Sequence, residues 1–168
     1  MRPKGNEYAP YYQRYIDQVV GEDINLILET QINEFMRLLE TIPEDKKTFA
    51  YAEGKWTIAE LLGHIIDTER IMAFRALWFA RNDPNPLPGF EQDDFIQYAN
   101  FNDRTLLSLA EEWTYLRKSN NILFKNFDES ALQRRGVANY NQVTVLALLF
   151  IIAGHMTHHL KTLKEKYL

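Results

Sequence analysis

Four histidines are the side chains of this sequence best suited to chemistry, and three of them fall in the run Gly154-His155-Met156-Thr157-His158-His159. The chain has no cysteine. That removes thiolate nucleophiles, disulfides and cysteine-type zinc sites, so any metal must be held by imidazole or oxygen. His155 and His159 are related by i, i+4. On a helix they emerge about 40° apart and ~6 Å apart along the axis, close enough for two imidazoles to reach one cation at ~2.1 Å. His155 continues the apolar line of Leu148, Ile151 and Ile152, and Leu163 follows His159 on the same side, so both face the core. His158 is followed by Lys161 and Glu165 and is expected on the polar flank, exposed or at most beside the ligands.

His64 stands apart, in Glu60-Leu61-Leu62-Gly63-His64-Ile65-Ile66-Asp67, among residues that are otherwise core. A buried imidazole needs a partner. Glu60 at i−4 and Asp67 at i+3 are the carboxylates in reach. Asp67 is the expected acceptor for the free ring N–H, because Glu60 belongs to a helix cap. Taken together, His64, His155 and His159 supply three nitrogen ligands from two helices and leave a coordination position open, which is the arrangement of a catalytic metal site. The plainer reading is that all three are core histidines satisfied by hydrogen bonds. The pair lacks the glutamate of H-E-x-x-H, and the chain has neither a Gly-rich phosphate loop nor a G-x-S-x-G elbow.

Four segments with helical spacing must position these residues. The first runs from about Pro10 to Thr41, with Ile24, Ile27, Leu28, Ile32, Phe35, Leu38 and Leu39 on one face before Pro43. The second opens at the capping box Thr57-Ile58-Ala59-Glu60 and ends near Arg81, where Asn82-Asp83-Pro84-Asn85-Pro86-Leu87-Pro88-Gly89 stops any helix. A third starts near Asn102 or Asp103 and ends around Phe127, and a fourth covers Val143 to Tyr167. About 20 residues join the second and third segments. Extended, they reach roughly 60 Å, which allows those two helices to run parallel. The proline-rich linker and its surroundings carry Trp78, Phe79, Phe90, Phe95, Tyr98 and Phe101, read as packing unless the linker covers the open metal position and some of them line a pocket. Glu69, Arg70 and Arg75 read as surface or linker-binding ion pairs, with a substrate-carboxylate contact as the sharper role for Arg70.

The chain has 168 residues, 46% of them hydrophobic, with a formal net charge of −4 and a pI near 5.6. One core serves that length, so residues 1–168 are expected to form a single soluble domain. The acidic balance provides no field for a phosphate backbone, and nucleic acid is not an expected partner. No export signal is expected before the first helix, and the longest apolar run, Val143 to Ala153, falls short of the ~18 residues that would span a bilayer. No membrane association is expected, and a cytoplasmic location is.

The stretches Trp56-Thr57-Ile58-Ala59-Glu60, His64-Ile65-Ile66-Asp67-Thr68-Glu69-Arg70 and Ala153-Gly154-His155-Met156-Thr157-His158-His159 resemble the DinB/YfiT-like superfamily over nearly the whole chain. The resemblance implies an all-α four-helix bundle in up-down-down-up order with a long crossover between its second and third helices. It implies that His64, His155 and His159 bind a divalent metal, zinc or nickel. It further implies a homodimer acting on a small molecule. Relatives include S-transferases that use a low-molecular-weight thiol, bacillithiol or mycothiol, and a mycothiol-dependent maleylpyruvate isomerase. Others are described only as metal-dependent hydrolases or damage-inducible proteins. The expected function is a metal-dependent thiol S-transferase or hydrolase acting on a small electrophile. The alternative is a non-catalytic metal-binding, stress-associated protein.

Overall fold

The computed structural model describes residues 1–168, built around four long helices. Helix α2 (Ile24–Leu39) packs against α5 (Leu106–Lys125) and α7 (Val145–Thr162), and α3 (Ile58–Ala80) packs against the same two. The caps explain where these helices begin. Asp23 accepts from the Leu26 amide, Thr105 from Ser108 and Thr144 from Ala147, each satisfying an N–H that has no intrahelical partner. At the start of α3 the capping box is complete: Thr57 Oγ1 accepts from the Glu60 amide, and Glu60 Oε2 accepts from the Thr57 amide at 2.8 Å. Asn82, at φ +61°, closes the other end of α3 in the left-handed conformation that asparagine tolerates.

The first segment is not one helix. A 3-10 turn (Pro10–Tyr12) leads into α1 (Gln13–Ile16), and the chain then breaks before α2. Gly21 at φ +101° and the Asp23 cap make the break. As a result α1 lies across α7 instead of extending α2. The linker after α3 contains a short helix, α4 (Gln92–Tyr98), and α5 is followed by α6 (Glu129–Gln133). The fourth segment also begins differently, because Val143 and Thr144 belong to a strand. Strands β1 (Arg135–Ala138) and β2 (Asn141–Thr144) form an antiparallel hairpin in which Arg135 faces Thr144 and Ala138 faces Asn141. A bridge between Leu87 and Ala138 ties the linker to its edge.

The hairpin turns through Asn139 and Tyr140, at φ +48° and +62°. Both central residues of such a two-residue turn need positive φ, which suits asparagine and strains tyrosine. Replacing the fully exposed Tyr140 with glycine is therefore expected to stabilise the protein by about 1 kcal/mol and raise its melting temperature by about 2–4 °C in calorimetry. A lower melting temperature contradicts the strain.

The core divides into two apolar clusters with a polar layer between them. One cluster contains Leu28, Met72, Phe124 and the first half of α7 to Ala153. The other contains Phe35, Ile66, Trp113 and α7 from Met156 onward. The buried polar residues Gln31, Glu69, Arg117, Asn120 and His155 all fall at the division. Glu69 is therefore not a surface group, and its partner is the equally buried Arg117. Arg117 donates from Nε to Glu69 Oε1 at 2.7 Å and from Nη2 to Oε2 at 2.8 Å, while Trp113 and Asn120 donate to the same carboxylate. Arg117 Nη1 donates to Gln31 Oε1, and Gln31 Nε2 donates to Ala153 O and Thr157 Oγ1 on either side of His155. No helix is long and apolar enough to cross a membrane.

Candidate metal centre

Packing of α3 against α7 brings His64, His155 and His159 together, all buried, at the polar layer. On the other side of α7, α1 approaches closely because Gly154 carries no side chain. A Cβ there would lie 2.0 Å from the backbone oxygen of Tyr15, so α1 can rest on α7 beside the site. His64 Nε2 and His159 Nε2 each lie 3.0 Å from His155 Nε2. Aromatic rings hold the imidazoles from outside: Trp56 packs on His64 with centroids 4.7 Å apart, and Tyr15 meets His155 edge-on at 5.4 Å.

The donor chemistry of this cluster fits a cation. An imidazole nitrogen has one in-plane position, holding either a proton or a lone pair. His155 Nε2 therefore cannot make proper hydrogen bonds to both neighbours, whereas a central ion would use all three lone pairs. Nitrogens ~2.1 Å from one tetrahedral metal would be separated by about 3.4 Å, so nitrogens 3.0 Å apart are close enough to share one ion after a small outward shift. His159 Nδ1 is buried without a partner, so no hydrogen bond on the far side of that ring fixes its orientation.

Electrostatics keep the cluster neutral and ready to ligate. Burial pulls His64 down to about 4 and His159 down to about 2, with positive charge on neighbouring histidines adding to the effect. His155 is held well below the usual imidazole range by burial first and by the other two rings second. The linkage sign follows. Groups depressed in the folded state contribute stability above the unfolded value near 6.5, and that contribution fades as pH falls through the interval down to about 4 for His64. Metal-free protein should melt at a lower temperature at about pH 5 than at about pH 7, and His64→Met should make the fall shallower. Equal melting temperatures at both values contradict neutral burial of these rings.

Asp67 is not the group beside His64. The atom next to His64 Nδ1 is Thr68 Oγ1, at 3.4 Å, one turn along α3. Asp67 is half-buried in a field that includes Arg70, Glu112 and Arg104, and burial raises its carboxyl above the usual range. Arg70 pairs with Glu112 at 2.6 Å on the surface and lies outside the cavity at the histidines. His158 is half-buried, edge-on to Tyr15 and His159, with Gln18 3.4 Å from its Nδ1.

A cavity of about 360 Å³ opens onto His64 and His155. The linker does cover this side: Gly89, Phe90, Glu91, Gln92 and Asp93 form one wall, Asn139 and Asn141 of the hairpin another, and Tyr11, Tyr12 and Tyr15 a third. Of the linker aromatics, only Phe90 lines it. Phe79 and Phe101 are core, while Phe95 and Tyr98 are exposed. Sequence reading missed the tyrosines and Arg75 as lining groups.

Residues 27–163 match the DinB superfamily. The chain belongs to that family. It is 26% identical over 156 residues to the Oceanobacillus iheyensis protein named "Putative metal-dependent hydrolase OB0413", covering 88% of this chain and 87% of the other. Among solved structures it is similar to YfiT from Bacillus subtilis, described as a probable metal-dependent hydrolase with an unusual four-helix bundle topology. The TM-score is 0.71 at 13% identity, over 98% of this chain and 90% of that one. It is also similar to the mycothiol-dependent maleylpyruvate isomerase, with a TM-score of 0.70 at 13% identity, over 87% of this chain but 61% of that one. At such identities these two structures speak for the fold alone.

Proposed function

We propose that residues 1–168 form one DinB-like domain in up-down-down-up order that works as a metal-dependent enzyme. In this reading His64, His155 and His159 hold one divalent ion, zinc or nickel, and the reaction joins a small thiol, or water, to a small electrophilic substrate. The observation that carries it is the convergence of three neutral imidazole nitrogens, with His155 Nε2 3.0 Å from both of the others and with His64 and His155 opening onto a cavity. An ion bound there supplies a Lewis acid that lowers the pKa of a bound water or thiol near neutral pH.

The chain's own residues orient and enclose. Trp56 and Tyr15 fix the planes of two ligand rings, and Thr68 stands against the outer nitrogen of His64. Met72 and Ile151 give the cavity an apolar flank that displaces water, and Phe90 closes it from the linker. A thiol cosubstrate suits a protein without cysteine, and the name of the mycothiol-dependent neighbour supports that choice. The hydrolase names of the other two relatives support water instead.

The test is an assay of zinc-loaded protein with a small thiol and a chromogenic aryl halide, run beside ester hydrolysis. Turnover that disappears with a chelator and returns with zinc is expected in one of the two. Metal-loaded protein inert in both assays, across a panel of thiols and esters, favours the non-catalytic metal-binding reading.

A further inference from the structure

Arg75 is a buried cation with no anionic partner. It is 3% exposed, it takes part in no ion pair, and it lines the same cavity as His64 and His155. Its guanidinium donates to Pro88 O at 2.7 Å and weakly to Met72 Sδ at 3.6 Å, which leaves donors over. Tyr12 is its titratable neighbour and side-chain hydrogen-bond partner, and burial raises the phenol and so keeps it uncharged. Two carboxylates, Glu91 and Asp93, also border the cavity, but both are solvent-exposed and neither pairs with Arg75. A buried guanidinium left without a counter-charge is costly, and the usual compensation is an anion.

We infer that Arg75 is a specificity residue that anchors a carboxylate of the substrate, at the end of the cavity away from the histidines. This rests on the metal-centre reading for what happens at the other end. One guanidinium balances one negative charge and meets a carboxylate through two parallel hydrogen bonds. A phosphate dianion would keep an excess charge facing Glu91 and Asp93, so a monoanion fits better. The spacing limits the ligand further. Residues 64 and 75 are eleven apart on α3, three turns, so they share a face about 16 Å apart along the axis, and an arginine leans back toward the helix N-terminus, shortening the gap. The ligand is therefore a chain several bonds long with its reactive group at one end and its carboxylate at the other.

Calorimetry with ω-mercaptocarboxylates, from 3-mercaptopropionate to 6-mercaptohexanoate, tests this on zinc-loaded protein against the matching amides. The longer acids should bind wild type about 10- to 100-fold more tightly than their amides. In Arg75→Met that preference should vanish while zinc content and amide binding stay unchanged. If Arg75→Met does not fold, Arg75→Lys, which keeps the charge but loses the fork, should show a reduced preference, and the wild-type comparison needs no variant. Hexanoate against hexanamide on metal-free wild type separates the two readings. Acid preferred there, with no thiol bound to zinc-treated protein, upholds the anion pocket and defeats the metal centre. Acid and amide bound equally in both series overturns the role of Arg75 and leaves the metal centre standing, as does an acid preference that survives Arg75→Met. Tighter binding of the alkyl phosphate than of the carboxylate overturns the assignment of charge.

Discussion

Replacing His159 with alanine should abolish stabilisation by zinc while leaving the metal-free fold intact. An ion bound to the native state alone adds roughly 4 kcal/mol when present at a thousandfold excess over its dissociation constant. For a chain of this length that corresponds to a rise in melting temperature of about 8–16 °C. With two nitrogens left the site keeps only part of its ligand set, and the expected zinc shift falls within error of zero. The metal-free variant should lose little stability, because the imidazole it gives up is buried with Nδ1 unpaired and held uncharged by burial. Scanning calorimetry with and without zinc reads both effects. A zinc shift of equal size in the variant would remove His159 from the site.

A second large effect is expected in the polar layer. Arg117→Met leaves the Glu69 carboxylate buried with only the Trp113 and Asn120 donors, and it leaves Gln31 Oε1 without its donor. Breaking a buried pair by removing one partner costs about 3–5 kcal/mol, which is a drop of about 10 °C in melting temperature. The variant Glu69→Leu/Arg117→Met removes both charges and should recover most of the loss. Gln31 grips α7 through Ala153 O and Thr157 Oγ1, on either side of His155. The single variant should therefore also weaken zinc binding, by roughly 10-fold, as seen when groups behind metal ligands are removed. An Arg117→Met protein as stable as wild type would show that this network is not what ties the four helices.

The sequence carries these features to different depths. The histidine cluster is legible because i, i+4 spacing on an apolar face has few meanings, and because His64 interrupts a core run. The start of α3 is legible because a capping box satisfies its amides locally. The first segment was misjudged where two signals competed: apolar spacing begins only at Ile24, and Gly21 and Asp23 mark a stop and a start that the tyrosine-rich stretch before them obscures. The hairpin escaped notice because its turn is Asn139-Tyr140, without the glycine that usually betrays it. Glu69 and Arg117 could have been found: Trp113, Arg117, Asn120 and Phe124 share the spacing of the apolar face of α5, which makes Arg117 a core position. That Thr68, and not Asp67, stands beside His64 depends on ring geometry that spacing does not supply. Of the cavity only the linker wall was legible, since the hairpin and the tyrosines before and within α1 are brought to it by tertiary packing alone.

The most direct test is metal stoichiometry. Metal-free, untagged protein is incubated with zinc or nickel, desalted and analysed for retained metal, with His64→Ala, His155→Ala and His159→Ala in parallel. One ion per chain in wild type and near none in each variant is the predicted result. Wild type that retains no stoichiometric metal, or variants that retain as much as wild type, would contradict a three-histidine centre.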